Sequence, residues 1–232
     1  NFDPRIFAQV GLSPMTSHDE AHKVRPVLII PVGSWEQHGP HLPFDTDTQI
    51  AVELGQRLLS ARPHHFLAPP VSVTASGEHS GFEGTLSIGT RTTTDVLVEL
   101  VRSATWAHGV IFINGHGGNS QAISDAEKIL THDQHKVLFW SPPCVDNTDT
   151  HAGHTETSVM LIISPKQVDM SRATSGDTRP LGEIIGTMRT HGVKAVSANG
   201  ILGDPRTANA EAGLHILDTW TQSLLTACDQ WV

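Results

Sequence analysis

The chain has 232 residues, and its 15 histidines equal its lysines and arginines combined, while 24 acidic residues set a formal net charge of −9. An acidic chain with no Lys/Arg cluster lacks the basic face that phosphate binding needs, so no nucleic-acid partner is expected. Apolar residues at 38% also exclude a disordered polyelectrolyte, and the length suits one domain spanning 1–232.

The N-terminus, Asn1-Phe2-Asp3-Pro4-Arg5, lacks the basic start and apolar stretch of a signal peptide. Residues 25–32 (RPVLIIPV) read as a strand that is apolar on both faces. Residues 47–61 follow as a helix, with Ile50, Leu54 and Leu58 on one face and an acidic start. A second strand is expected over 66–73, interrupted near an end or edge by Pro69-Pro70. Residues 92–107 read as a helix capped by Thr92 to Thr94, with Asp95 in its first turn.

Residues 109–113 (GVIFI) are a strand, Asn114 to Asn119 a turn, 120–132 a helix, and 136–140 (KVLFW) the next strand. A helix over 155–163 ends at Ser164-Pro165, and a long closing helix runs from Ala208 to Trp231. Residues 142–153 and 170–205, rich in Gly, Pro, Asp and Thr, read as surface loops and short elements. Alternating strands and helices imply an α/β fold, a parallel sheet with helices on both faces. No apolar run approaches the roughly 18 residues of a membrane span, so no membrane partner is expected. Cys144 and Cys228 make neither a zinc pair nor a disulfide framework, and a cytoplasmic location is the simplest expectation.

Three constellations fall at predicted strand–helix junctions, where open α/β sheets bind ligands. In the first, Glu36 and His38 are two residues apart, so an extended segment points both to one side. A carboxylate and an imidazole suit a divalent first-row metal, and either Asp45 or Asp47 offers a further oxygen. The competing explanation is a polar loop with a helix-capping aspartate. The second constellation places His116 among Asn114, Gly115, Gly117, Gly118 and Asn119, where a tight turn permits close backbone approach. It lacks the Walker lysine and does not match the dinucleotide fingerprint.

The third, His151-Ala152-Gly153-His154-Thr155-Glu156, offers a ligand and a proton-transfer group, although Glu156 also fits as a first-turn carboxylate favoured by the helix dipole. A fourth stretch, Gly77 to Thr85 with His79, is either a substrate loop or a plain connection. His18, His22, His64, His65, His132 and His135 lack acidic partners at suggestive spacing and are expected on the surface. There is no G-x-S-x-G elbow and no activated cysteine, so metal-activated water is the better nucleophile.

The run Glu36-Gln37-His38-Gly39-Pro40-His41-Leu42-Pro43 with Asp47, then Asn114 to Asn119, then His151 with Glu156, resembles the creatininase (creatinine amidohydrolase) family. The resemblance runs from about residue 25 to the C-terminus. It implies a three-layer α/β/α fold with a mostly parallel sheet. It also implies two divalent metal ions per subunit, zinc with iron or manganese, sharing a water. Glu36 and His116 would hold one metal and His38 the other, with Asp47 bridging and Asp45 outside. Creatininase takes a further glutamate where this chain has Gly118, and Glu156 is the expected replacement, as in members that share the double glycine.

His151 matches the family's proton-carrying histidine, with Glu156 assisting; Gly117 and Gly118, with His79 and His154, are expected to line the substrate. Three carboxylates against two divalent cations would leave residual positive charge to favour bound hydroxide. Within the family the chain is most similar to members encoded with the mycofactocin pathway, peptidases that release a C-terminal Val-Tyr dipeptide from a precursor peptide. The alternatives are hydrolysis of a small cyclic amide or formamide, and a metal-dependent binding protein without catalysis. The family resemblance also implies a homo-oligomer, with a hexamer as one form.

Overall fold

The computed structural model describes residues 26–231. The N-terminal Asn1 to Arg5, His18, His22 and the first residue of the expected strand, Arg25, lie outside the described residues. Four strands, β1 (Val27–Val32), β2 (Phe66–Leu67), β3 (Gly109–Asn114) and β4 (Val137–Trp140), form one sheet in the order β2-β1-β3-β4. Every pairing is parallel, with Val27 opposite Gly109 and Val32 opposite Asn114. The helices are α1 (Thr46–Ala61), α2 (Gly89–Ser103), α3 (Ser120–His132), α4 (His154–Ile163), α5 (Leu181–His191) and α6 (Ala210–Trp231).

Alternation along the strands divides the core in two. Ile29, Ile111 and Ile113 face a cluster with Leu54 and Leu58 of α1, Val159 and Met160 of α4, and Leu217 and Leu224 of α6. Ile30, Val110 and Phe112 face the opposite cluster, with Leu97 and Val101 of α2 and Ala126 and Leu130 of α3. Helices therefore cover both faces, giving the three-layer α/β/α architecture. β3 is buried along its whole length, which explains its unbroken apolar sequence. Among the described residues no helix is long and apolar enough to cross a membrane.

Four local expectations need correction. The strand expected over 66–73 keeps ladder pairing only at Phe66–Leu67, then touches β1 again through a single Val71 to Val32 bridge. Pro69 and Pro70 between them cannot donate to a ladder. Helix α2 starts at Gly89, so the threonines lie inside it: Thr93 and Thr94 donate to the carbonyls of Gly89 and Thr90, one turn back. The stretch 170–205 contains the 11-residue α5, whose Gly182 and Gly186 weaken its helical signal. His65 is half-buried, with both ring nitrogens shielded from solvent and without a hydrogen bond, and burial pushes its pKa down.

Candidate metal centre

The strands deliver their chemistry at their carboxyl ends. From β1 the chain passes Glu36 and His38 and returns as α1, whose first turn carries Asp47. From β3 it passes His116 before α3 begins. Gly115 makes this convergence possible: a Cβ there would stand 2.4 Å from the Asp47 carbonyl oxygen. The Asp47 carboxylate consequently lies between two imidazoles. Its Oδ1 is 3.0 Å from His38 Nε2, and its Oδ2 is 3.1 Å from His116 Nδ1 and accepts from Ser34 Oγ at 2.7 Å.

Backbone carbonyls fix which imidazole nitrogens carry hydrogen, because a carbonyl can only accept. His38 Nδ1 donates to the Glu36 carbonyl at 3.0 Å, which turns Nε2 toward Asp47 and Glu156. His151 Nε2 donates to the Gln37 carbonyl at 2.8 Å, leaving Nδ1 3.7 Å from Glu36 Oε1. The Gln37 amide donates to His79 Nδ1 at 2.9 Å and to the Gly200 carbonyl at 3.0 Å. His79 Nε2 then faces Glu36 Oε1 at 3.4 Å. Hydrogen bonds of this kind hold metal-ligating imidazoles in one tautomer and one orientation.

Glu36 is 0% exposed, yet neither of its carboxylate oxygens has a hydrogen-bond partner. A bare buried carboxylate is costly unless a cation compensates it. Two further carboxylates flank the cluster on opposite sides. Glu156 Oε2 is 3.8 Å from His38 Nε2 and accepts from the Ala152 N–H at 2.6 Å. Ala152 holds a left-handed backbone, φ +52°, a conformation costing about 1–2 kcal/mol outside glycine. Glu78 Oε1, on a 3-10 turn at Gly77–His79, is 3.4 Å from His116 Nε2.

The electrostatics show what these groups want between them. Burial opposes charge on His38, but Asp47, Glu156 and Glu36 overcome it and push the pKa up to about 10. Burial likewise opposes charge on His116, while Glu36, Asp47 and Glu78 hold it well above its ordinary value. Burial raises Asp47, yet the two imidazoles hold it well below the usual carboxylate range. Burial pushes Glu156 up to about 7, and it holds His151 well below its ordinary value, with His38 and His79 adding repulsion. The cluster demands positive charge at His38 and His116, which protons or metal ions supply.

The donor atoms group into three sets, each within 4.8 Å: Glu36, His38 and His151; Glu36, Glu78 and His116; His38, Asp47 and Glu156. Oxygen and imidazole donors of this mixture fit divalent first-row metals, and the unpartnered Glu36 oxygens fit a cation between the sets. Glu36, His38, Asp47, His116, His151, Glu156 and His79 are thus brought together. Gly117 borders open space, and Gly118 packs against Glu78 and His116.

His154 is not gathered here. It opens α4, its N–H donates to Asp149, and it lines a separate cavity of about 280 Å³. His41 packs on α4, with Nε2 2.9 Å from Thr157 Oγ1, and Asp45 accepts from Gln49 instead of entering the cluster. Sequence reasoning missed Ser34, Gln37 and Glu78. The signal for Glu78 was its place beside His79 in a glycine-rich turn.

Comparison with known proteins places this arrangement. A mycofactocin precursor peptide peptidase from Mycolicibacterium smegmatis is 44% identical over 227 residues, covering 95% of this chain and 91% of the relative. One from Mycobacterium tuberculosis strain H37Rv is 43% identical, covering 96% and 92%. A solved creatininase variant in a Zn–Zn form shares the fold with a TM-score of 0.75 at 24% identity, covering 89% of this chain and 91% of that one. The family model described as creatinine amidohydrolase matches residues 13–228, so the chain belongs to the creatininase family and is a hydrolase of C–N bonds.

Proposed function

We propose that the protein is a dinuclear metal-dependent peptidase that releases a C-terminal Val-Tyr dipeptide from a mycofactocin-type precursor peptide. The observation that carries this reading is the fully buried, unpartnered Glu36 carboxylate with donor sets on both sides. The identity with peptidases of that name, 43 to 44% over most of the chain, supports the peptide substrate. In this reading Glu36 and His116 hold one ion, His38 and Glu156 the other, and Asp47 reaches both. Zinc is supported by the Zn–Zn form of the related creatininase, with iron or manganese as the companion.

Bound divalent cations supply water activation near neutral pH and polarisation of an amide carbonyl. The chain's own groups do the rest. His151, neutral at pH 7, takes up a proton at Nδ1 and returns it to the departing amine. Burial pushes the Glu156 pKa up to about 7 in the metal-free centre, and a cation beside it would keep the carboxylate ionised as a ligand. The peptide's reacting amide reaches the cluster on the open side of Gly117. The chain acts as one catalytic unit, in keeping with a family match spanning 13–228. The unpaired Cys144 and Cys228 suit a reducing compartment, and we place the reaction in the cytoplasm.

The test is mass spectrometry of the modified precursor peptide after incubation with zinc- and iron-loaded protein. Loss of the Val-Tyr mass is expected. Turnover of creatinine or a formamide instead would reassign the substrate, and no turnover despite two bound metals would make this a binding protein.

A further inference from the structure

We infer that Glu78 is a direct metal ligand on the His116 side of the centre, occupying space that Gly118 leaves open. The inference rests on the dinuclear reading above and adds a ligand to it.

His116 Nε2 can carry one hydrogen, yet three acceptors face it: the Ala75 carbonyl at 3.0 Å, Glu36 Oε2 at 3.2 Å and Glu78 Oε1 at 3.4 Å. One N–H cannot satisfy two carboxylates and a carbonyl. Glu36 meanwhile is buried with neither oxygen hydrogen-bonded, so the excess negative charge here calls for a cation. Glu156 cannot answer that need, since it sits with His38 and Asp47 in the opposite donor set.

Gly118 explains how Glu78 gets in. A Cβ at 118 would lie 1.9 Å from Glu78 Oε1 and 2.3 Å from His116 Nε2, so a side chain there and the Glu78 carboxylate compete for one volume. The neighbouring Gly117 meets nothing within 4 Å, so crowding is specific to 118. The turn bearing Glu78 is also clamped. Phe82 packs with Ile184 of α5, Val193 and Leu202, Lys194 donates to the Gly81 carbonyl at 3.0 Å, and Gly192 abuts the Glu78 carbonyl. With Glu78 included, four carboxylates face two divalent cations, and the charge of the filled centre balances.

The test is zinc titration of metal-free protein by calorimetry, with metal content measured after gel filtration. Wild type is expected to bind two ions. Glu78→Gln should keep one tight ion and bind the second at least about tenfold more weakly. The double variant Glu78→Ala/Gly118→Glu, which moves the carboxylate into the vacated volume, should recover the second ion. Two ions at wild-type affinity in Glu78→Gln would overturn the inference and leave the dinuclear reading intact. A wild type binding fewer than two would overturn both. If Glu78→Gln fails to fold by circular dichroism, the double variant decides: folded protein without a second ion overturns the inference.

Discussion

His151 Nε2 donates to the carbonyl of Gln37 across 114 positions of sequence, at 2.8 Å. The same Gln37 directs its amide to His79, so one residue sets the orientation of two imidazoles. Gln37→Leu keeps the main-chain carbonyl that holds His151 and removes the amide from His79, so it should keep both metals and lose about 10- to 100-fold in kcat, the range seen when an orienting partner is removed. Steady-state kinetics with metal analysis checks this. An unchanged kcat would mean that the Gln37 amide does not position His79 for the reaction.

His38→Ala would remove a proposed ligand and the imidazole that lies beside both Asp47 and Glu156. Metal content should fall below two per subunit, and kcat/KM by at least about 10²-fold. Glu156→Ala probes the same side: retention of two tightly held ions would remove Glu156 from the ligand set.

Protons and metals compete for this centre. In the metal-free protein the His38 pKa is raised from 6.5 to about 10. A raised group contributes stability that is fully present below its unfolded value and lost as pH rises through the folded one. The melting temperature of the metal-free protein should therefore fall between about pH 7 and pH 10, and much less so once zinc is bound. Zinc binding at pH 7 should expel about two protons per subunit, from His38 and His116. Calorimetry in buffers of different ionisation enthalpy counts them, and a count of zero would contradict this charge assignment.

Gly115→Ala forces a methyl group against the Asp47 backbone, 2.4 Å away. A loss of about 1–3 kcal/mol in urea unfolding is expected, the usual cost of overpacking a tight site. Because the strain falls on the first turn of α1, metal affinity should fall with it.

The alternation of β1, α1, β3, α3 and β4 was readable because each strand is a short apolar run and each helix shows one apolar face. Helix α5 was not, since two glycines dilute its propensity and only Ile184 of its residues is fully buried. Of the proposed ligands, Glu36 and His38 stood out by spacing and His116 by its glycine-rich turn, its metal role being what the family resemblance implies. Glu78 did not, because the role inferred for it depends on empty space at Gly118, forty residues away, and single-sequence spacing carries no information about such long-range complementarity. Gln37 was equally hidden: an amide between two ligands looks like a spacer until its partners are known.

The bare carboxylate of Glu36 links inheritance of the fold to inheritance of the activity. A variant that stops binding metal leaves protons on His38 and His116 as the counter-charge, so it loses folding stability as pH rises above neutral. Drift toward a copy that is inactive yet stable across that range is opposed unless Glu36 changes too. Descendants of this chain should therefore either retain the metal or replace that residue, and a thermal screen for metal-induced stabilisation would sort variants by function without any substrate.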